Sequence, residues 1–505
     1  MERNGTKDID VLIMAEGTYP YISGGVSTWI HHLITGLPEY RFGVVFIGAR
    51  PDDYGERKFE LPANLVHLES HFIFDDRERP APTGHDMDEG ALSRIRELHK
   101  WFKERHTEGL PGDLSSMEFY TAYLKEEAFL YGRNAWRFIK ELYFNYDTES
   151  PFVDYFWTIR NVHAPIWRLA GIAERVPPHR IIHSPSTGYA GFLASLLRHG
   201  RRGRLILTEH GIYTRERKID LMNADWLVDR RFFFQKRHGE MEHLREIWIN
   251  FFESIGRFTY NAADLIISLF DGARQIQIGL GAAPEKTRTI PNGVDLKALS
   301  KLRVDRKDGV PWVVTLIGRV VPIKDIKTFI NAMKVVVQSM PDVQGWVVGP
   351  TDEDPEYYSE CIRLVEALGL SESVRFLGRR DIHEVLPASG IVTLTSVSEG
   401  MPLVVIEAFA AGVPVVTTDV GSCRQLIQGG PDDADIRIGA AGEVTPIANP
   451  RALAVAYIRL LSDVEYWKRC REAGIKRVES YYTMDRFIDA YREIYRDETD
   501  GWNRV

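Results

Sequence analysis

Ile391-Val-Thr-Leu-Thr-Ser-Val-Ser-Glu-Gly-Met-Pro-Leu-Val-Val-Ile-Glu-Ala-Phe-Ala-Ala-Gly412 holds a strand, a turn and a helix in one continuous phrase. Residues 391–395 are short and β-branched and read as a buried strand. The apolar, alanine-bearing run after them reads as a helix that stops at Gly412. Pro402 suits the first helical turn, where its missing N–H costs nothing. The unpaired N–H groups of that turn, around Met401, Leu403 and Val404, then face the end of the strand. Together with the helix dipole they form a seat for a phosphate.

Two carboxylates flank this seat. Glu399 stands in the loop, next to Gly400, and Glu407 lies about a turn and a half into the helix. Like charges repel, so neither suits direct contact with a phosphate. Both suit accepting hydrogen bonds from hydroxyls, and a sugar nucleotide carries hydroxyls on each side of its diphosphate. On that reading Glu407 takes the ribose and Glu399 the transferred sugar. A plain strand–turn–helix with a capping glutamate would carry the same letters.

Upstream, the strand Trp312-Val-Val-Thr-Leu-Ile-Gly-Arg319 runs into Val-Val-Pro-Ile-Lys-Asp325. Arg319 and Lys324 therefore place two cations at one strand end, within reach of a diphosphate. A charged turn is common by itself. The helix seat in the same stretch of chain gives the pair its meaning.

The whole chain has 505 residues, 44% hydrophobic and 27% charged, with a net charge of −8. That length exceeds one ordinary core and predicts two or more α/β domains. The acidic balance argues against nucleic acid as the main partner. No apolar run reaches the roughly 18–20 residues of a membrane helix. The first residues lead straight into a strand with no signal peptide. Three widely spaced cysteines, Cys361, Cys423 and Cys470, form no zinc pattern and suit a reducing compartment. Cytoplasm is the expected location.

The first strand, residues 9–15, is followed by a loop with Gly24-Gly25 and by a helix patterned on Trp29, Ile30, Leu33, Ile34 and Leu37. A Gly-Gly pair there lets a ligand approach the backbone, although a simple turn would read alike. Gly279-Leu-Gly-Ala-Ala-Pro284 reads as a helix end, not as a dinucleotide fingerprint. A strand over 42–47 continues the series, and a helix-rich elaboration over about 75–175 interrupts it, with helices expected at 93–104, 118–143 and 165–174. The α/β series resumes at 180–184, 189–198 and 204–208. His210 follows at a strand's carboxyl end, where open α/β sheets bind ligands, and His183 is the second choice. A second insertion over about 212–250 is basic and aromatic, carrying Arg217, Trp226, Arg230, Arg231 and Phe232 to Phe234. Pro291-Asn-Gly-Val-Asp295 is turn chemistry, and residues 297–309 read as a linker.

These phrases resemble the retaining glycosyltransferases that carry a Glu-x7-Glu signature on the GT-B fold, two facing Rossmann-like domains. Glu399, Gly400, Pro402, Glu407, Ala408 and Gly412 fall in register with that signature, and Pro291 to Asp295 matches the phrase that closes its first domain. The resemblance implies an acceptor-side domain at 1–304, a nucleotide-sugar domain at 305–480, and a final helix, 481–505, crossing back. It implies that Arg319 and Lys324 serve the diphosphate and that the backbone around Phe376 and Leu377 holds the base. His210 would face the donor sugar, and the Gly24-Gly25 loop would touch donor or acceptor. Catalysis would then rest on His210, Glu399, Arg319 and Lys324, with no metal and no cofactor. Within this group, residues 14–29, the aromatic insertions and Thr208-Glu-His-Gly211 are similar to the cytoplasmic glycosyltransferases of bacterial Pel exopolysaccharide systems. That likeness implies a UDP-sugar donor bearing an N-acetylhexosamine, a growing polysaccharide as acceptor, and synthase partners in the inner membrane, at which the protein would lie peripherally.

Three rivals share parts of this pattern. A metal-dependent transferase would use Asp86-Met-Asp88 or Asp352-Glu-Asp354. A sugar-nucleotide epimerase of the same architecture would need no acceptor. A silent UDP-sugar sensor would bind the nucleotide and never turn it over.

Overall fold

The computed structural model describes residues 9–75, 81–82, 84–103, 110, 112–146, 150–222, 243–303 and 309–502. The chain forms two compact units: Met1–Ser268 with Arg274–Arg288 and Tyr491–Val505, and Leu269–Ala273 with Thr289–Ala490. The first unit therefore ends earlier than the expected boundary at 304. Residues 289–304 group with the second unit because Val294 forms a bridge with Thr483 there. Of the final helix, Met484–Trp502, the part from Tyr491 onward belongs to the first unit.

The first unit is built on a seven-stranded sheet. Its strands are β1 (Ile9–Glu16), β2 (Phe42–Gly48), β3 (Leu65–Phe72), β4 (His179–Ser184), β5 (Arg204–Glu209), β6 (Leu265–Ser268) and β7 (Thr287–Thr289). They lie in the order β3-β2-β1-β4-β5-β6-β7. Pairings from β3 across to β6 are parallel, and the inner strands β1, β2, β4, β5 and β6 are largely buried and read as near-continuous apolar runs. The order reverses between β1 and β4, which opens a crevice at their carboxyl ends.

The sequence reading misses β3. On this edge strand every residue is half-buried, and His67, Glu69 and His71 occupy one side. The elaboration over 75–175 is helical as expected, with different breaks. The expected helix 118–143 is a π-helical turn, Phe119–Tyr123, followed by helices Glu126–Tyr131 and Arg133–Tyr146. The next helix runs over Phe152–Arg175 and carries Pro165 in its interior, where the sequence predicted a start.

His183 is part of the frame. It is fully buried, with Nδ1 2.6 Å from the Tyr495 hydroxyl and Nε2 2.8 Å from Thr208 Oγ1. Burial pushes its imidazole down to about 3, so it is neutral. Both ring nitrogens being satisfied, His183 leaves the list of reactive groups.

The second unit repeats the same plan with six strands: β8 (Val313–Ile317), β9 (Gln344–Val348), β10 (Val374–Gly378), β11 (Ile391–Leu394), β12 (Val415–Thr418) and β13 (Gly442–Thr445). Their order is β10-β9-β8-β11-β12-β13, all parallel. Its switch point lies between β8 and β11, whose ends lead into Arg319–Lys324 and Glu399. The expected linker is partly helical, with Leu296–Leu299 capped by the Asp295 carboxylate, which accepts from the Ala298 N–H at 3.0 Å.

Candidate nucleotide-sugar site

At the carboxyl end of β8 the chain makes a one-turn 3-10 helix, Pro322–Lys324. Two hydrogen bonds stitch it to the end of β11. The Thr395 hydroxyl donates to the Lys324 carbonyl at 2.7 Å, and the Val397 N–H donates to the Ile323 carbonyl at 2.9 Å. Asp325 then turns left-handed, φ 45°, and its carboxylate accepts from the Thr328 N–H at the start of helix Ile326–Ser339. This backbone frame sets Lys324 beside Glu399. Lys324 Nζ donates to Glu399 Oε1, and the Ser396 hydroxyl donates to the same oxygen at 2.5 Å. Glu399 Oε2 has no hydrogen-bond partner among the described residues.

The turn bearing Glu399 is held from β12. Gly421 has φ 52°, and a Cβ there would lie 2.3 Å from the carbonyl oxygens of Glu399 and Gly400, so only glycine fits. The neighbouring Ser422 N–H donates to the Gly400 carbonyl at 2.9 Å. The helix that follows spans Leu403–Ala410 and has no side-chain cap. Pro402 is extended, ψ 114°, and precedes the helix. The first turn thus contains Leu403 and Val404, while Met401 and Pro402 lie outside it, a correction to the expected start. Met401 is buried instead, and its Sδ accepts from the Asn292 N–H at 3.4 Å.

Glu407 is half-buried and has no hydrogen-bond partner among the described residues. Burial pushes its carboxyl above the usual range, with His383 opposing the shift. An unpartnered carboxyl of this kind marks a place for a ligand hydroxyl. Arg319 is exposed, and its guanidinium donates to Glu353 Oε2 at 2.7 Å. Leu377 sits in a β-bulge. Phe376 pairs with Val347 and Gly378 with Val348, which leaves Leu377 out of register. Its backbone is therefore outside the ladder, a feature no pattern in the sequence discloses.

In the first unit Gly24 is extended and Gly25 opens helix Gly25–Gly36. A Cβ on either would meet nothing within 4 Å, so the space above this turn is open. His210 packs edge-on against Trp29, with ring centroids 4.8 Å apart. Burial pushes its imidazole down to about 3, and its Nε2 is covered without a partner. His210 lines a cavity of about 550 Å³ together with Glu16, Thr18, Glu216 and Arg217. Sequence reasoning singled out His210 there and missed Thr18 and Glu216, which converge from β1 and from helix Tyr213–Met222. The flanking helix His243–Ala262 and that helix belong to the expected second insertion. Trp226, Arg230, Arg231 and Phe232 to Phe234 lie outside the described residues.

Three carboxylates of the two Asp-x-Asp sequences are engaged with backbone N–H groups. Asp86 accepts from the backbone N–H groups of Met87 and Asn134, and Asp88 accepts from the Ala91 N–H at 2.7 Å. Asp354 caps helix Pro355–Ala367 through the Tyr357 N–H at 2.9 Å. Among the described residues no group of three or more His, Cys, Asp or Glu side chains converges to hold a metal ion.

Residues 9–285, more than half of the chain, match the family described as "Domain of unknown function (DUF3492)". The chain belongs to the DUF3492 family. Residues 311–463 match the family described as "Glycosyl transferases group 1", so this DUF3492 protein carries a group 1 glycosyltransferase domain around Arg319, Lys324, Glu399 and Glu407. It is 29% identical over 243 residues to an exopolysaccharide phosphotransferase of Streptomyces coelicolor, covering 47% of this chain and 24% of that protein. It is 28% identical over 249 residues to a D-inositol 3-phosphate glycosyltransferase of Saccharomonospora viridis, covering 46% of this chain and 53% of that protein. The chain thus spans about half or less of the length of these curated relatives. The Anabaena protein Alr3699/HepE in complex with UDP has the same fold, with TM-score 0.56 at 15% identity over 97% of this chain and 100% of that one. The two-domain α/β expectation, GT-B in class, holds.

Proposed function

We propose that this protein is a retaining glycosyltransferase that moves a hexosyl residue, N-acetylhexosaminyl in our reading, from a UDP-sugar to a growing Pel-like exopolysaccharide without a metal. The observation that carries the donor half is the Lys324–Glu399–Ser396 cluster at the switch point of the second sheet, beside the uncapped helix start at Leu403. A group 1 glycosyltransferase match spans all of it, and a protein of the same fold has been solved with UDP.

The chemistry follows from what these groups can do. Breaking a glycosyl–phosphate bond leaves an oxocarbenium-like carbon and a diphosphate. Lys324, Arg319 and the N–H groups of Leu403 and Val404 stabilise the charge gathering on the diphosphate. Glu407 accepts from the ribose, and Glu399 through Oε2 accepts from the sugar. The bulged backbone at Leu377 meets the base. His210, neutral, faces the sugar as a hydrogen-bonding group and not as a charge. No side chain is set as a covalent nucleophile, which a same-face displacement does not need.

The Pel assignment rests on the likeness of residues 14–29 and 208–211 to PelF, the cytoplasmic enzyme of that system, and the inner-membrane synthase partners come with it. Among the described residues no helix is long and apolar enough to cross a membrane. A cytoplasmic protein docked on such partners is the location we propose. Calorimetry with several nucleotides, then slow donor hydrolysis with and without EDTA, tests the reading. UDP should bind and its sugar should be released in both conditions. A loss above about tenfold with EDTA, about 1.4 kcal/mol, would remove metal independence. Binding with no turnover would make the protein a sensor, and a new epimer without acceptor would make it an epimerase.

A further inference from the structure

The cavity at the carboxyl ends of β1, β4 and β5 is walled by aromatic faces and by polar groups left without partners. Trp248 and Phe252 lie nearly parallel, ring centroids 6.0 Å apart and planes 19° apart, and the Tyr213 ring meets Phe252 at 6.0 Å. Such flat apolar walls match the C–H faces of a pyranose. Thr18 Oγ1, His210 Nε2 and Arg217 Nε are shielded from solvent and have no partner among the described residues. These three atoms gather in one wall, where a ligand's hydroxyls could pair with them. At about 550 Å³ the cavity falls within the usual range for small-molecule sites.

Its charges decide what enters. Glu16 is built in as an anion acceptor: its carboxylate accepts from the Tyr213 hydroxyl at 2.8 Å, the Ala190 N–H at 2.9 Å and the Ser186 hydroxyl at 3.5 Å. Glu216 is exposed at the cavity and has no hydrogen-bond partner among the described residues. Its carboxylate packs so close to Gly211 that a Cβ there would lie 1.9 Å from Oε1, which fixes it beside His210. Among the described lining residues one cation, Arg217, stands against these two carboxylates, and it is partly balanced by Asp220 at 3.6 Å. The local field is negative, with acceptors facing the space.

We propose that this cavity seats one neutral, hydroxyl-rich sugar residue of the acceptor and rejects anionic sugars. The sugar hydroxyls donate to Glu216 and accept from Arg217 Nε–H, while a ligand carboxylate would meet Glu16 and Glu216 at close range. This inference rests on the reading of the protein as a glycosyltransferase and adds the acceptor's chemical class.

The test uses the full chain with three probes, maltotriose, N,N′,N″-triacetylchitotriose and tri-galacturonate, followed by saturation-transfer NMR and titration, with UDP affinity measured on the same preparation. At least one neutral probe should bind at least tenfold more tightly than tri-galacturonate. Glu216→Gln, which keeps the shape and removes the charge, should narrow that preference by about tenfold, and Thr18→Val should weaken the neutral probe. Equal or tighter binding of tri-galacturonate to the unmodified protein overturns the proposal. So does a preference that Glu216→Gln leaves unchanged, or no binding of any probe. UDP binding without sugar discrimination defeats this inference alone. Sugar discrimination without UDP binding defeats the glycosyltransferase reading and leaves the cavity's selectivity standing.

Discussion

At the carboxyl ends of the second unit's strands, the charged groups are mostly paired with one another. Lys324 holds Glu399, Ser396 holds the same oxygen, and Arg319 holds Glu353. At the same end of the first unit's sheet Glu16 accepts three hydrogen bonds and Arg217 pairs with Asp220, yet Thr18 Oγ1, His210 Nε2 and Arg217 Nε keep no partner among the described residues. The two sheets share the order of their first six strands but differ in the groups at these ends. On the proposed reading a diphosphate seat needs cations, and cations near a surface are held at low cost by carboxylates. The cavity of the first unit would instead meet sugar hydroxyls with its polar atoms.

The comparison breaks most visibly at Lys324. Replacing it by Ala removes a cation proposed to meet the developing diphosphate charge and leaves Glu399 Oε1 with the Ser396 hydroxyl alone. Donor turnover should fall by about 2.7–4 kcal/mol in the barrier, read as the hydrolysis rate at saturating UDP-sugar. A folded Lys324→Ala protein that turns over at the original rate would place the diphosphate elsewhere.

Glu407 is the exception within the second unit, a carboxyl with no partner. Glu407→Ala should weaken UDP binding by about 1.5–3 kcal/mol, the worth of a hydrogen bond to a charged group, measured by titration. Its raised carboxyl adds a pH signature. On the proposed reading the ionised form accepts from the ribose and is lost as pH falls through that raised value, so UDP affinity should decline earlier on acidification than with an ordinary glutamate. Stability runs the other way. A raised folded-state value adds stability that is present below the unfolded value and lost as pH rises through the folded one. Denaturation of the unmodified protein against Glu407→Gln across pH 4–7 reads the stability trend, and UDP titration over the same range reads the affinity trend.

A smaller effect concerns Arg319. Glu353→Ala deletes the carboxylate paired with Arg319. UDP should then bind more tightly by about 0.2–1 kcal/mol, the range of an exposed ion pair. Weaker binding would show that Glu353 orients Arg319 and does not compete for it. The smallest effect belongs to Leu377→Ala. If the bulge offers backbone to the base, as proposed, UDP affinity should stay within about 0.5 kcal/mol, and a larger loss would mean that the side chain itself packs on the ligand.

Much of this architecture was legible in the residues, for reasons that differ by region. The second unit announces itself because strand, turn and helix are contiguous in 391–412 and in 313–339, so local periodicity and caps suffice. β3 escapes because an edge strand half-buried throughout has no clean apolar side, and His67, Glu69 and His71 mask its alternation. Pro165 misleads because a proline is a good helix start in general, while here the helix Phe152–Arg175 runs through it. Lys324 and Glu399 were each visible, but their ion pair depends on the two stitches between Pro322–Lys324 and residues 395–397. The cavity was the least legible part. Thr18, His210 and Glu216 come from separate elements, and convergence in space leaves no spacing rule in the chain.

Tyr491 and Tyr495 close the core of the first unit, their hydroxyls lying 3.1 Å from Thr208 Oγ1 and 2.6 Å from His183 Nδ1. Apart from these residues that unit ends at Arg288, so about 200 residues of chain are synthesised before it receives its last piece. At roughly 5–20 residues per second that delay is on the order of 10–40 s. During it a nascent sheet carries the buried side of Thr208 and His183 uncovered. In the living cell the half of the molecule that is made first is thus the half that is finished last.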